Sequence, residues 1–167
     1  MFPLSRLYCE LLLQKNQRMG KLLPAAPTDS RKKPIVRNKS APILLLISDP
    51  VTRDHLQTLL EENQFTPQLM ADQDELLRVL KKNQFAIVLI DCGSVNIYGT
   101  RIISRIKVVG RHGRIIMFCD KAHLGDNQHR ELIKEILKIG VYACILSPYK
   151  EWEVLYMVTY YSRLEKL

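Results

Sequence analysis

The chain has 167 residues, 47% hydrophobic and 25% charged. That is an ordinary globular composition, sized for one domain of about 125 residues with a tail. The net charge of +8 suggests nucleic acid or an acidic surface, but residues 1–40 hold nine Lys and Arg against two acids, while the remainder is nearly balanced at sixteen against fifteen. The excess therefore belongs to the tail, and residues 1–41 read as a basic extension, largely disordered, with Pro24, Pro27 and Pro34 marking a linker. Nucleic-acid contact through residues 1–41 is the sharper alternative. No apolar run approaches the ~18 residues of a membrane span, and the N-terminus lacks the charge and cleavage pattern of a signal peptide. Within the extension, Leu4, Leu7, Tyr8, Leu11 and Leu12 recur at helical spacing, which predicts a short amphipathic helix. It lies ahead of a possible true start at Met19.

From residue 42 the pattern changes. "ILLLIS", Ile43 to Ser48, is a continuous apolar run suited to a strand buried on both faces. Asp49 takes an N-cap position and Pro50 the first helical position. Leu56, Leu59 and Leu60 then form the inner stripe of a helix. "TPQLM" is a weak second strand. Asp72 or Asp74 opens a second helix with Leu76, Leu77 and Leu80 inward. "FAIVLID", ending at Asp91, is the strongest strand, and a loop runs from there to Gly99. A helix through Ile102, Ile103 and Ile106 follows, then the strand "RIIMFC". The next helix turns Leu132, Ile133, Ile136 and Leu137 inward and stops at Gly140. "VYACILS" is the last strand. The last helix is expected to bury Trp152, Leu155, Val158 and either Tyr161 or Leu164.

Five strands alternating with five helices predict an α/β fold, a doubly wound parallel sheet. Ligand chemistry in such sheets lies beyond the carboxyl ends of the strands, which singles out Ser48, Asp49, Asp91, Cys119, Ser147 and Pro148. Asp91 has a plain reading as a cap for the segment that follows. With Asp49 near it, two carboxylates would share a site, and like charge would raise one pKa unless a cation lay between them.

These strand-ending residues, with Gly99 eight residues after Asp91 and "GVYACILSPY" at the fifth strand, resemble a response-regulator receiver domain of two-component signalling over residues 42–167. The resemblance implies the flavodoxin-like (βα)5 sheet of order 2-1-3-4-5. It also implies a regulatory module, not an enzyme, that takes a phosphoryl group from a histidine kinase onto Asp91; the lack of a disulfide framework makes a reducing cytoplasm the default expectation. A Mg²⁺ held by clustered acids and a lysine offset the charge repulsion of that transfer. Asp49 and Asp91 match the acids. Ser48 stands where a second acid is expected, Cys119 where a hydroxyl would bind the phosphoryl group, and Ser147 where the lysine would be. Pro148 and Tyr149 remain, and Pro148 is expected to follow a cis peptide. The position of a mobile aromatic falls on Cys144 or Tyr142. With the acid and the lysine replaced, any Mg²⁺ at Asp49 and Asp91 is expected to be weak. The preferred reading is then a degenerate, phosphorylation-independent receiver acting by protein–protein contact. The alternatives are a true receiver phosphorylated on Asp91, or a nucleic-acid-associated regulator. The resemblance puts the contact surface, for a protein partner or a homodimer, on the face of the fourth helix, fifth strand and fifth helix. Tyr149, Tyr156 and Tyr160 are the interface candidates there.

None of the four cysteines forms CxxC or pairs with histidine at zinc spacing. Cys92 and Cys119 would end adjacent strands, and buried free cysteine is the commoner fate of such a pair. His55, His112, His123 and His129 share no face. No phosphate-cradling glycine motif occurs.

Overall fold

The computed structural model describes residues 41–83, 86–120 and 127–163. The expectations placed on residues 1–40, Phe85, His123 and Leu164 lie outside them. The elements are β1 (Ile43–Leu46), α1 (Pro50–Glu62), β2 (Pro67–Leu69), α2 (Gln73–Lys82), β3 (Ile87–Asp91), α3 (Cys92–Tyr98), α4 (Arg101–Val109), β4 (Arg114–Asp120), α5 (Asn127–Ile139), β5 (Ala143–Ser147) and α6 (Glu151–Arg163). The five strands form one parallel sheet in the expected order, β2-β1-β3-β4-β5.

The continuous apolar runs explain why the central strands sit inside. On one face, Ile43, Leu45, Ile87, Leu89, Ile116, Phe118, Ala143 and Ile145 pack with Leu56, Leu59 and Leu60 of α1 and with Val154 and Val158 of α6. The alternating residues Leu44, Leu46, Val88, Ile90, Ile115 and Met117 are equally buried, as a sheet covered by helices on both sides requires. The inner stripes of α2 (Leu76, Leu77, Leu80) and α4 (Ile102, Ile103, Ile106) are buried as the spacing predicts. β2 is short and at the edge, where Pro67 removes no hydrogen bond from a central ladder.

Local caps place the helices. Asp49 Oδ2 accepts from Thr52 N at 2.8 Å to start α1, with Pro50 in the first turn. Asp72, rather than Asp74, caps α2, accepting from Glu75 N at 2.8 Å. At α6, Glu153 accepts from the Lys150 N–H at 2.9 Å, half of a capping box.

Two elements differ from expectation. The segment from Cys92 to Tyr98 is a helix, not a loop. Asp91 caps it, and Gly99 ends it at φ 77° and ψ 165°, a conformation essentially restricted to glycine. Seven residues rich in Gly, Ser and Asn are too short to display a helical apolar period, and Val95 is the apolar residue it buries. In α6, Val154, Val158 and Tyr161 are buried, whereas Trp152 is 61% exposed and Leu155 only packs against the core edge. The inward stripe therefore runs i, i+4, i+7 from Val154. Trp152 lies two residues before it, about 200° round the helix, on the outer side. Because α3 intervenes, the surface formed by the fourth helix, fifth strand and fifth helix of the resembled family corresponds to α5, β5 and α6. Among the described residues, no helix is long and apolar enough to cross a membrane.

Candidate functional site

β1 and β3 pair in register from Ile43 with Ile87 to Leu46 with Ile90. That brings the residues just past β1 beside the end of β3. Asp91 is only 8% exposed. Its Oδ2 accepts three hydrogen bonds, from Ser48 Oγ at 2.7 Å, Ser48 N at 3.0 Å and Asp49 N at 3.3 Å. Its Oδ1 accepts from Ser94 N at 2.8 Å. A carboxylate offers about four lone-pair sites, and four donors meet them here. Burial by itself pushes the Asp91 carboxyl up, but the hydrogen bonds from Ser94 and Ser48 outweigh it and hold the group below its ordinary value.

Ser94 and Gly93 are site residues that the sequence reading did not single out. Ser94 is 2% exposed and spends its hydroxyl on the Leu46 carbonyl at 2.9 Å, which ties α3 to the end of β1. The available signal was its place three residues after a capping Asp. Gly93 is required by close approach: a Cβ there would fall on the Ser48 hydroxyl. The serine in place of the second acid and the glycine two residues past Asp91 are thus one steric unit.

Asp49 is brought close in chain but not in chemistry. Its exposed carboxylate accepts from Thr52 N and, at 2.6 Å, from Thr52 Oγ1. The Thr52 hydroxyl and then its N–H hold the Asp49 carboxyl below its ordinary value. Both carboxyls are lowered, so the expected rise of one by its like-charged neighbour does not occur. Each carboxylate is instead stabilised in its charged form by hydrogen-bond donors of its own. Among the described residues, no group of three His, Cys, Asp or Glu side chains could hold a metal ion.

On β4 and β5 the sulfurs meet. Cys119 Sγ accepts from Cys92 Sγ at 2.8 Å and from Cys144 Sγ at 3.2 Å. The adjoining thiols of Cys144 and Cys92, then burial, push the Cys119 thiol above its ordinary range. Of the two candidates for the mobile-aromatic position, Cys144 is the one against Cys119. Tyr142 lies at the other end of β5, under the Lys107 ammonium at 4.7 Å and edge-on to Tyr161 at 5.5 Å. Ser147 ends β5 opposite Asp120, and the Ser147–Pro148 peptide is cis. Tyr149 packs edge-on against Phe118 at 5.4 Å, and its hydroxyl lies 3.1 Å from His55 Nδ1. The other ring nitrogen of His55 faces Glu151 Oε1 at 3.2 Å. Tyr156 and Tyr160 stack on each other along α6, with ring centres 6.3 Å apart.

Residues 43–159 match the family model of the response regulator receiver domain. The chain belongs to that family. Receiver domains are signalling modules of two-component systems, regulatory rather than catalytic as a class. The receiver domain of a sensor histidine kinase from Pseudomonas aeruginosa PAO1, solved with a magnesium ion in its active site cleft, is 21% identical. That match covers 73% of this chain and 97% of the other, with a TM-score of 0.59. A putative response regulator from Chloroflexus aurantiacus is 18% identical over 75% of this chain and 99% of its own, with a TM-score of 0.61. A response regulator from Thermotoga maritima is 17% identical over 74% and 98%, with a TM-score of 0.60. At these identities the likeness is one of fold. No curated protein matches the chain.

Proposed function

We propose that this receiver domain regulates by protein contact and does not depend on phosphorylation of Asp91. The observation that carries the reading is the Ser48 hydroxyl on Asp91 Oδ2, backed by two main-chain N–H groups. For Asp91 to attack a phosphoryl group, that oxygen would have to give up charge-assisted bonds worth about 1.5–3 kcal/mol each. It would do so with Ser147 in place of an ammonium and Cys119 in place of a hydroxyl. Removing one preorganised electrostatic partner from a transition state typically costs about 2.7–4 kcal/mol, and this pocket has lost two.

A Mg²⁺ ion at Asp49 and Asp91 would be weakly held. Both carboxylates already satisfy donors, and Ser48 contributes a neutral oxygen where a second acid would stand. Hard cations favour carboxylate oxygens.

The contact surface is α6 with β5. Trp152 and Tyr156 follow one another at i and i+4, on the side of α6 away from Val154 and Val158, while Tyr160, the third interface candidate, packs against the core edge and stacks on Tyr156. A helix with a buried aliphatic face and an aromatic outer face is suited to meeting a second protein, whether another copy of this chain or a different partner. Tyr149 is a poorer contributor, since its ring and hydroxyl are engaged by Phe118 and His55. Residues 1–41 are read as a basic extension to this module.

The test is exposure to acetyl phosphate or beryllofluoride with Mg²⁺, followed by intact-mass measurement. The reading expects no stoichiometric adduct. An adduct abolished by Asp91→Asn would overturn it and restore the phosphoacceptor alternative.

A further inference from the structure

We infer that Cys92 and Cys119 form a peroxide-responsive dithiol site, with Cys92 as the entry thiol and Cys119 as the thiol that closes the disulfide. β3 and β4 are in register with Asp91 opposite Phe118, and each cysteine directly follows one member of that pair, Cys92 at the start of α3 and Cys119 within β4. Their sulfurs already face each other at 2.8 Å. Cys92 is half-buried, whereas Cys119 and Cys144 are buried, so a small oxidant meets Cys92 first.

Cys144 is the less suitable partner. It pairs with Met117, two residues before Cys119. Combining the strand rise with the strand spacing gives about 8 Å between the Cα atoms of Cys119 and Cys144, beyond the bridgeable limit.

The oxidant is a hydroperoxide, hydrogen peroxide in the simplest case. The Cys92 sulfur attacks one peroxide oxygen, the O–O bond breaks, and Cys92 becomes a sulfenic acid with release of water. The Cys119 sulfur then attacks the Cys92 sulfur. The S–O bond breaks, the hydroxide leaves with the Cys119 proton as a second water, and the S–S bond forms. Two thiols lose two electrons and two protons, and the peroxide is reduced to two waters. The bridge would fasten the start of α3, one residue beyond Asp91, to the end of β4. This chemistry stands on the thiol geometry alone and does not depend on whether Asp91 accepts a phosphoryl group.

The full chain, reduced and freed of reductant, is treated with hydrogen peroxide, denatured, titrated for thiols and digested with trypsin. The four thiols are expected to fall to two. The peptides Asn83–Arg101 and Ile115–Lys121 should appear joined, at a mass lower by two hydrogens, and dithiothreitol should separate them. Cys92→Ser should abolish the joined species and Cys144→Ser should leave it. In Cys119→Ser, Cys92 should instead accumulate as a sulfenic acid trapped by dimedone. If that buried variant does not fold, the Cys92→Ser arm decides alone. Survival of all four thiols, oxidation of Cys92 to sulfinic acid without a bridge, or a bridge to Cys9 or Cys144 overturns the inference.

Discussion

Gly93→Ala and Ser48→Ala should be strongly coupled. In the native domain the Ser48 hydroxyl occupies the space a Cβ at Gly93 would need. Ser48→Ala alone removes one hydrogen bond to a buried carboxylate, 2.7 Å long. Such bonds contribute about 1.5–3 kcal/mol. Two main-chain donors stay on the same oxygen, so the expected loss is about 1.5 kcal/mol, the lower end of that range. Gly93→Ala alone gains helix propensity in α3, about 0.5–1 kcal/mol. It must also displace the serine hydroxyl and adds overpacking of about 1–3 kcal/mol, so it should be destabilising on balance. Once Ser48 is Ala, the new Cβ meets the residue-48 Cβ at 3.3 Å and Asp91 Oδ2 at 3.4 Å, contacts a small shift can absorb. The second substitution should then be nearly neutral, and the double variant should be more stable than the sum of the singles by about 1–3 kcal/mol. Urea unfolding of all four proteins, compared at unchanged m-value, measures this. Additivity within about 0.5 kcal/mol would refute the claim that the hydroxyl and the glycine share one space.

Three further outcomes follow from the same geometry. Asp91 has a folded-state pKa below its ordinary value, so its contribution to stability is fully present above the unfolded value of about 3.9 and is lost as pH falls through the lower folded value. Asp91→Asn should flatten the acid limb of a stability-against-pH curve, and an unchanged limb would contradict the hydrogen-bond account. Gly99→Ala should cost about 1–3 kcal/mol of backbone strain, although its Cβ would meet nothing within 4 Å. A cost near zero in urea unfolding would show that the φ of 77° relaxes freely. Replacing Trp152 and Tyr156 together by Ala should reduce self-association or partner capture with little change in melting temperature, because both lie off the inward stripe of α6. A large loss of stability without a change in solution mass would instead make them core residues.

Much of the fold was legible in the chain because its signals are local. The apolar runs of β1, β3 and β4, the stripes of α1, α2 and α4, and the caps Asp49 and Pro50 act within a few residues of themselves. Alternating strands and helices then leave few topologies. Strand ends could be named as candidate site positions for the same reason, which singled out Ser48, Asp91, Cys119 and Ser147. The register of α6 was not legible. Its residues are apolar or aromatic on both sides, and packing against β5, rather than periodicity, chose Val154 over Trp152 for the interior. The helix α3 was hidden by its brevity.

By itself, the sequence determined the alternation of strands with the longer helices, the parallel sheet, and which residue types stand at the ends of its strands. Hydrophobic period and capping chemistry are short-range and leave a linear trace. The tertiary structure alone decided what those strand ends do to one another. It set the Ser48 hydroxyl between Asp91 and Gly93, tied the Ser94 hydroxyl to the Leu46 carbonyl, and placed Cys92 and Cys144 against Cys119. These are contacts across 25 to 48 positions of chain. Their partners are chosen by strand register, which no local pattern records.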